Sequence, residues 1–329
     1  MLQLLGKAVF VSLLVLSITA GLAVGADKPT NEKKKTAILL ASFGTTVPSA
    51  VKAIAHISEQ VKKAYPGIEV RVSFTSNMVR AVWKKRRSAP KEWLDQGVPP
   101  EILNVKNFIQ TMGDLQEEGY RNVIVQPTHM FFMEQSHDLT SYVAGLNSIR
   151  TLKPRWNPFD TIVLGRPALG MPGDRYNYHD DVARVVKTLS EDAQEAGEKE
   201  AILLYMGHGN EHWSTGIYTE TQKKMREEYP GIETFIGVVE GHPALDDLLP
   251  QLRLSQKKKI ILRPFMITAG DHAKNDMAGP DADSWLSILT AEGFEVQPVL
   301  EGLGAKETFA GVFVENIADA ARERGISLH

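Results

Sequence analysis

The sequence predicts an α/β protein of two similar doubly wound parallel-sheet domains, made by internal duplication, with a cleft between them. Three observations carry this prediction. Short apolar runs ending in glycine alternate with segments of helical length, the pattern of buried parallel strands joined by crossover helices. Two segments 164 residues apart begin alike, Ala37-Ile-Leu-Leu-Ala-Ser-Phe-Gly44 and Ala201-Ile-Leu-Leu-Tyr-Met-Gly-His208. Three further strand candidates then follow in the same order in both halves.

Taken from the N-terminus, residues 1–26 carry one charge, Lys7, an apolar stretch from Ala8 to Leu22, and the small residues Val24 and Ala26 before Asp27. This is the form of a cleaved secretory signal, and it predicts a periplasmic protein. The competing reading is an uncleaved anchor, since Ala8 to Ala26 is uncharged and nearly long enough to span a bilayer. Residues 27–35 read as a solvated linker. The first domain is expected over 36–170 and the second over 171–329.

Within them, Val70 to Ser76 pairs with Thr234 to Gly241, each after a helix ending in Tyr-Pro-Gly-Ile (Tyr65 to Ile68, Tyr229 to Ile232). Val123 to Pro127 pairs with Ile260 to Pro264, and Thr161 to Gly170 with Val296 to Gly304. Amphipathic helices over Asp180 to Ala196 and Lys306 to Arg324 are expected to close the first and second halves. The stretch Trp83 to Asn104, rich in Lys, Arg and Pro, has no counterpart in the second half and reads as a lid or an oligomer contact.

With 43% hydrophobic and 23% charged residues the chain has globular composition. Without residues 1–26 its balance is 36 basic against 40 acidic side chains, which gives no general attraction to nucleic acid. No stretch after the signal is long and apolar enough to cross a membrane, so the mature chain is expected to be soluble. The clusters Lys84 to Arg87 and Lys257 to Lys259 read as solvated surface. There is no cysteine, so a transition metal must rest on histidine and carboxylate. Assembly as a homo-oligomer is the common outcome for such proteins.

In open parallel sheets ligands bind beyond the carboxyl ends of the strands. Three neighbouring strand ends of the second half offer His208, between Gly207 and Gly209; Glu240, in Val238-Val-Glu-Gly-His242; and His272, in Ala269-Gly-Asp-His-Ala-Lys-Asn-Asp276. Two imidazoles and a carboxylate leave open positions on a bound divalent ion, as an active metal site requires. His212 shares a helical face with His208 if a helix starts there, and Asp271 adjoins His272. The first-half equivalents are Gly44, about Thr75 and about His137, so one half alone has the full set. His56, His179 and His329 read as surface or capping residues. The chain has neither a Walker pattern nor a dinucleotide fingerprint. A serine hydrolase using Ser42 or Ser214 lacks the Gly-x-Ser-x-Gly elbow.

These residues resemble the class II chelatases, and within them the anaerobic sirohydrochlorin cobaltochelatases. The resemblance rests on Ala41-Ser-Phe-Gly-Thr45, Thr75-Ser-Asn-Met78, Met206-Gly-His-Gly209, Val239-Glu240, Asp283-Ser-Trp285, Gly302-Leu-Gly304 and, above all, Ala269 to Ala278; it covers 36–329. It implies that His208 and His272 form the metal-binding pair, that Glu240 is their acidic partner, and that a sirohydrochlorin-type tetrapyrrole and a divalent metal, Co²⁺ or else Fe²⁺ or Ni²⁺, are the substrates. Where such an enzyme has a glutamate after the third strand of its first half, this chain reads Met133-Glu-Gln-Ser-His137. Either Glu134 takes that place or Gln135 does and the acid is missing.

For insertion of a metal into such a ring, His208 and His272 would bind the ion and take up pyrrole protons while Glu240 relays them. Phe43, Met78, Met130 and Met266 are wall or core residues, and Arg80, Arg166 and Lys274 are rim candidates for the substrate carboxylates. Export suggests a second reading, a periplasmic haem- or metal-binding carrier with His137 or His129 as axial ligand.

Overall fold

The computed structural model describes residues 34–328 except Asp174 and Trp213. The expected signal, residues 27–33 of the linker and His329 lie outside the described residues. No helix among the described residues is long and apolar enough to cross a membrane.

The first half comprises β1 (Lys35–Ser42), α1 (Val51–Ala64), β2 (Glu69–Phe74), α2 (Asn77–Arg86), α3 (Pro90–Leu94), α4 (Pro100–Leu103), α5 (Phe108–Glu117), β3 (Tyr120–Pro127), α6 (Glu134–Ser148) and β4 (Thr161–Leu164). The second comprises α7 (Tyr178–Lys187), α8 (Ser190–Glu198), β5 (Ile202–Gly209), α9 (Gly216–Glu228), β6 (Thr234–Glu240), α10 (Leu245–Leu254), β7 (Lys259–Phe265), α11 (Trp285–Ala291), β8 (Glu295–Pro298) and α12 (Glu307–Glu323). Each half has one four-stranded sheet, ordered β2-β1-β3-β4 and β6-β5-β7-β8, and every pairing is parallel. The common order bears out the duplication and the predicted fold class.

The first strand of each half is internal and covered on both faces, which is why β1 and β5 read as unbroken apolar runs. The short β4 and β8 lie at edges, where Pro298 removes no ladder hydrogen bond that the sheet needs. The repeated Tyr-Pro-Gly-Ile is a true structural repeat. Tyr65 and Tyr229 end α1 and α9 with nearly the same backbone angles, φ −124° and ψ 67° against φ −125° and ψ 67°.

The closing helices depart from expectation in two ways. The 180–196 segment is two helices, α7 and α8, broken at Thr188 and Leu189. Moreover, each covers the other sheet from the one expected: α12 crosses to pack on α1 and β3 of the first half, while α7 and α8 pack on α9 and β5 of the second, to which they belong in sequence. Tyr65 Oη donates to Val314 O at 2.7 Å, Asn316 Nδ2 donates to Arg166 O at 2.9 Å, and Tyr205 Oη of β5 donates to Asp192 of α8 at 2.6 Å. An amphipathic pattern shows that a helix has an apolar face without showing which sheet that face covers.

Residues 83–104 form no lid. Trp83 is fully buried, Trp93 meets it edge-on at 6.3 Å, and the Arg86 guanidinium lies over both rings at 4.5 and 4.2 Å. Val98, Ile102 and Leu103 complete a small core against Ile54 and Phe74, beside the β2 edge.

Candidate metal-handling site

The loops at the carboxyl ends of the two sheets meet. The turn after β1 is held from behind, with Trp83 Nε1 donating to Thr45 O at 2.8 Å and Arg86 donating to Thr46 O at 2.5 Å. Opposite it, a Cβ added to Gly270, after β7, would lie 3.2 Å from Thr45 Oγ1. A second bridge joins α6 to the turn after β5, where Asn210 Nδ2 donates to Glu134 Oε2 at 2.6 Å. The segment 83–104 thus braces one wall of the site.

At the strand ends of the second half the predicted residues come together. The rings of His208 and His272 lie 4.7 Å apart between centroids and are nearly perpendicular, at 87°. His208 Nδ1 is 3.8 Å from Glu240 Oε2, and all three side chains are only partly buried. Among the described residues no three His, Asp or Glu side chains converge into a ready-made cage for an ion. The arrangement is a histidine pair with a carboxylate alongside, open to a substrate that brings its own nitrogens.

Hydrogen bonding sets the tautomers. His208 Nδ1 is 3.0 Å from Gly209 O, which can only accept, and His272 Nδ1 is 2.8 Å from the Asp276 carboxylate. Each Nδ1 is therefore a donor, and in the neutral imidazole each Nε2 keeps its lone pair for a metal or a proton. Asp276 reaches back because His272 opens a single π-helical turn, Ala273–Met277.

The backbone under His208 is specified by glycine. Gly209 has φ +78°, and a Cβ there would meet Glu240 O at 1.8 Å; a Cβ on Gly207 would meet the Tyr218 ring at 2.4 Å. Tyr218 is fully buried, Gly209 N donates to its hydroxyl at 3.1 Å, and burial raises its pKa. It supports the histidine strand from below. Sequence reasoning did not single out Tyr218 or Asn210 as site residues; the fourth-residue spacing of His272 and Asp276 was readable in the sequence.

Other expected residues fall elsewhere. Helix α9 begins at Gly216, so His212 lies in the preceding loop and shares no helical face with His208. Arg166 is buried between Asp181, at 2.9 Å, and Asp319, at 2.8 Å, and stacks on Tyr176. Arg80 caps the β2–α2 turn by donating to Phe74 O and Thr75 O. Lys274 alone of the three rim candidates stands exposed near the pair. Met130 and Met266 are core residues, whereas Phe43 and Met78 are exposed at the carboxyl end of the first sheet. Ser42 is buried and accepts from Gly44 N, and Ser214 accepts from Gly216 N; among the described residues no histidine is hydrogen-bonded to either. His137 is exposed on α6. His129 is enclosed, with Nδ1 at 2.9 Å from Ser136 Oγ, and burial lowers its pKa to about 4. A cavity of about 330 Å³ beside β4, α6 and α12 contains none of the histidine pair or Glu240.

Two parallel sheets with a paired imidazole site between their carboxyl ends define a protein of the chelatase class. The solved structure of SirB from Bacillus subtilis with Fe³⁺ superposes with a TM-score of 0.57 at 14% identity, covering 88% of this chain and 98% of that one. SirB from Bacillus subtilis subspecies spizizenii in complex with cobalt gives 0.54 at 14% identity, covering 88% and 97%. These likenesses establish the fold.

The chain belongs to the cobalt chelatase (CbiK) family, which it matches over residues 36–322. A sirohydrochlorin cobaltochelatase of Nitratidesulfovibrio vulgaris, CbiKC, is 28% identical over 286 residues, 87% of this chain and 90% of that protein. The sirohydrochlorin cobaltochelatase of Salmonella typhimurium is 27% identical over 288 residues, 87% of this chain and 96% of its own length.

Proposed function

We propose that this protein is a sirohydrochlorin cobaltochelatase that inserts Co²⁺ into the macrocycle with loss of two pyrrole protons. The observation that carries the reading is the perpendicular pair of His208 and His272 with Glu240 at 3.8 Å, at the carboxyl ends of the strands, in a member of the cobalt chelatase family. Both Nε2 atoms are free of the backbone and carboxylate contacts that occupy Nδ1, so the pair holds the incoming ion and accepts the protons in turn. General-base assistance of this kind contributes about 10²–10⁴-fold. Glu240 balances the charge of the ion and passes protons to solvent, and Glu134, held toward the second half through Asn210, supplies the acid of the first half. Phe43 and Met78 offer apolar surface to the ring, and Lys274 faces its carboxylates. Fe²⁺ and Ni²⁺ suit the same donors.

We assign the reaction to two domains over 36–170 and 171–329, the last helix of the second packing on the first, within an exported, periplasmic homo-oligomer. The test is anaerobic incubation with sirohydrochlorin and Co²⁺, followed by absorption, beside a His208→Ala/His272→Ala protein. Rapid conversion by the unaltered protein and background conversion by the variant supports the reading. Equal, slow conversion by both refutes it, and a Soret band in the purified protein would then favour the haem carrier, with His137 the exposed candidate ligand.

A further inference from the structure

The loop between α6 and β4 carries a surface that the chelatase reading leaves unused. It is closed at its base by Asn157, whose Oδ1 accepts from Thr151 N at 2.9 Å and from Thr151 Oγ1 at 3.1 Å. Thr151 Oγ1 also donates to Lys153 O, and Trp156 N donates to Lys153 O at 2.9 Å. This bonding fixes the tip, Leu152 to Trp156, in solvent rather than letting it fold back. Leu152 is 100% exposed and Trp156 66%, with Ile149 exposed at the loop's start. Large apolar side chains held outward by a hydrogen-bonded loop are costly in water and mark a contact surface.

Charge narrows the partner. From Leu139 to Phe159 the sequence has no acidic residue and three basic ones, Arg150, Lys153 and Arg155, all interleaved with the exposed apolar side chains. The next carboxylate, Asp160, is shared by Arg121 at 2.7 Å and Lys34 at 2.9 Å. A second copy docking by the same face would set these cations against their own copies, which disfavours self-association here. Tryptophan and leucine in the headgroup region with lysine and arginine at the phosphates is instead the composition of a bilayer-surface contact.

Connectivity points the same way. Lys34, the first described residue, makes its ion pair with Asp160, four residues beyond Trp156. In the sequence, eleven residues separate Lys34 from the end of the apolar stretch Ala8 to Leu22. An uncleaved anchor over that stretch would bring the chain out of the bilayer eleven residues before Lys34, whereas a cleaved signal would leave the loop to bind the bilayer by itself.

We infer that the 149–156 loop is a docking surface for a bilayer containing anionic phospholipid, which holds the protein at the membrane face. The inference revises the expectation that the mature chain is simply soluble, and it does not depend on the chelatase reading. The chain contains no cysteine, so the full chain with Leu152→Cys takes a polarity-sensitive fluorophore at the loop tip. Leu254→Cys, at an exposed position ending α10 in the second half, takes the control label.

With vesicles of phosphatidylcholine containing roughly one-third phosphatidylglycerol, a headgroup surface that attracts such basic clusters, the label at 152 is expected to brighten and shift to the blue while the label at 254 does not. Adding Arg150→Glu, Lys153→Glu and Arg155→Glu is expected to weaken the vesicle response at 152 by about a hundredfold. Equal responses at both positions, no response at 152, or the same response with pure phosphatidylcholine would overturn the inference. So would a change at 152 that follows protein concentration without vesicles, which would mark a contact between copies.

Discussion

The two sheets have one strand order and opposite chemical content at their carboxyl ends. Beyond β5, β6 and β7 stand His208, Glu240 and the loop of His272, partly exposed and within reach of one another. Beyond β1, β2 and β3 stand a glycine turn at Gly44, the buried Thr75 hydroxyl and the enclosed His129. The common strand order therefore does not produce the site by itself. Side chains placed on one copy do, while the other copy carries the Trp83 and Arg86 braces, the exposed Phe43 and Met78, and Glu134 bonded to Asn210.

The strongest way to break this comparison is at the positive-φ glycine in the turn after the first strand of each half. Gly209→Ala sets a Cβ against the backbone oxygen of Glu240, which cannot move without parting β5 from β6, and adds a strained positive φ. A loss on the order of 4 kcal/mol in urea unfolding is expected. Gly44→Ala has the same backbone problem at φ +93°, but its Cβ meets the Phe74 ring, a side chain that can turn; about 2 kcal/mol is expected. Equal losses would mean that the two turns are not differently constrained.

His129 sharpens the contrast between a buried histidine in one half and exposed ones in the other. Its folded pKa of about 4 lies below the unfolded value, so between pH 6.5 and 4 the unfolded chain binds the extra proton. The sign follows directly: stability is full above pH 6.5 and falls with pH, by about 3 kcal/mol at pH 4. His129→Gln should flatten that part of the stability-pH curve, and an unchanged slope would refute the assignment.

His208→Ala alone should lower turnover about a hundredfold, roughly the lower end of general-base effects. Thr75→Ala, at the first-half place that matches Glu240, should change turnover less than about twofold, as an ordinary substitution away from the reacting groups does. Asp276→Asn leaves His272 in place but weakens the bond that fixes its tautomer; about tenfold is expected, with a shifted pH-rate profile. Glu134→Gln should cost about threefold, because its amide can still meet Asn210 while the charge is lost. Turnover below one-tenth in that variant would make the first half a full chemical partner.

The sequence displayed the duplication, the parallel strands and the site triplet because each is a local property. Buried strands must be apolar, tight turns must carry glycine, and strand-end residues stand next to those turns. The run from Ala269 to Asp276 even held the His272–Asp276 spacing. Tyr218 escaped notice because an aromatic residue on a helix reads as core packing until the strand it supports is seen above it. Arg166 reads as a rim cation in the sequence, which does not reveal that Asp181 and Asp319 enclose it.

What the sequence determined by itself is the set of elements and which residues end each strand, through periodicity and glycine geometry that act over a few residues. Tertiary structure decided the rest: the packing of α12 on the first sheet and of α7 and α8 on the second, the use of residues 83–104 as a brace, and the meeting of His208 with His272. These depend on which surfaces face one another across segments far apart in the chain. Hydrophobic burial is non-directional, so it drives such faces together without encoding in either segment which partner it will find.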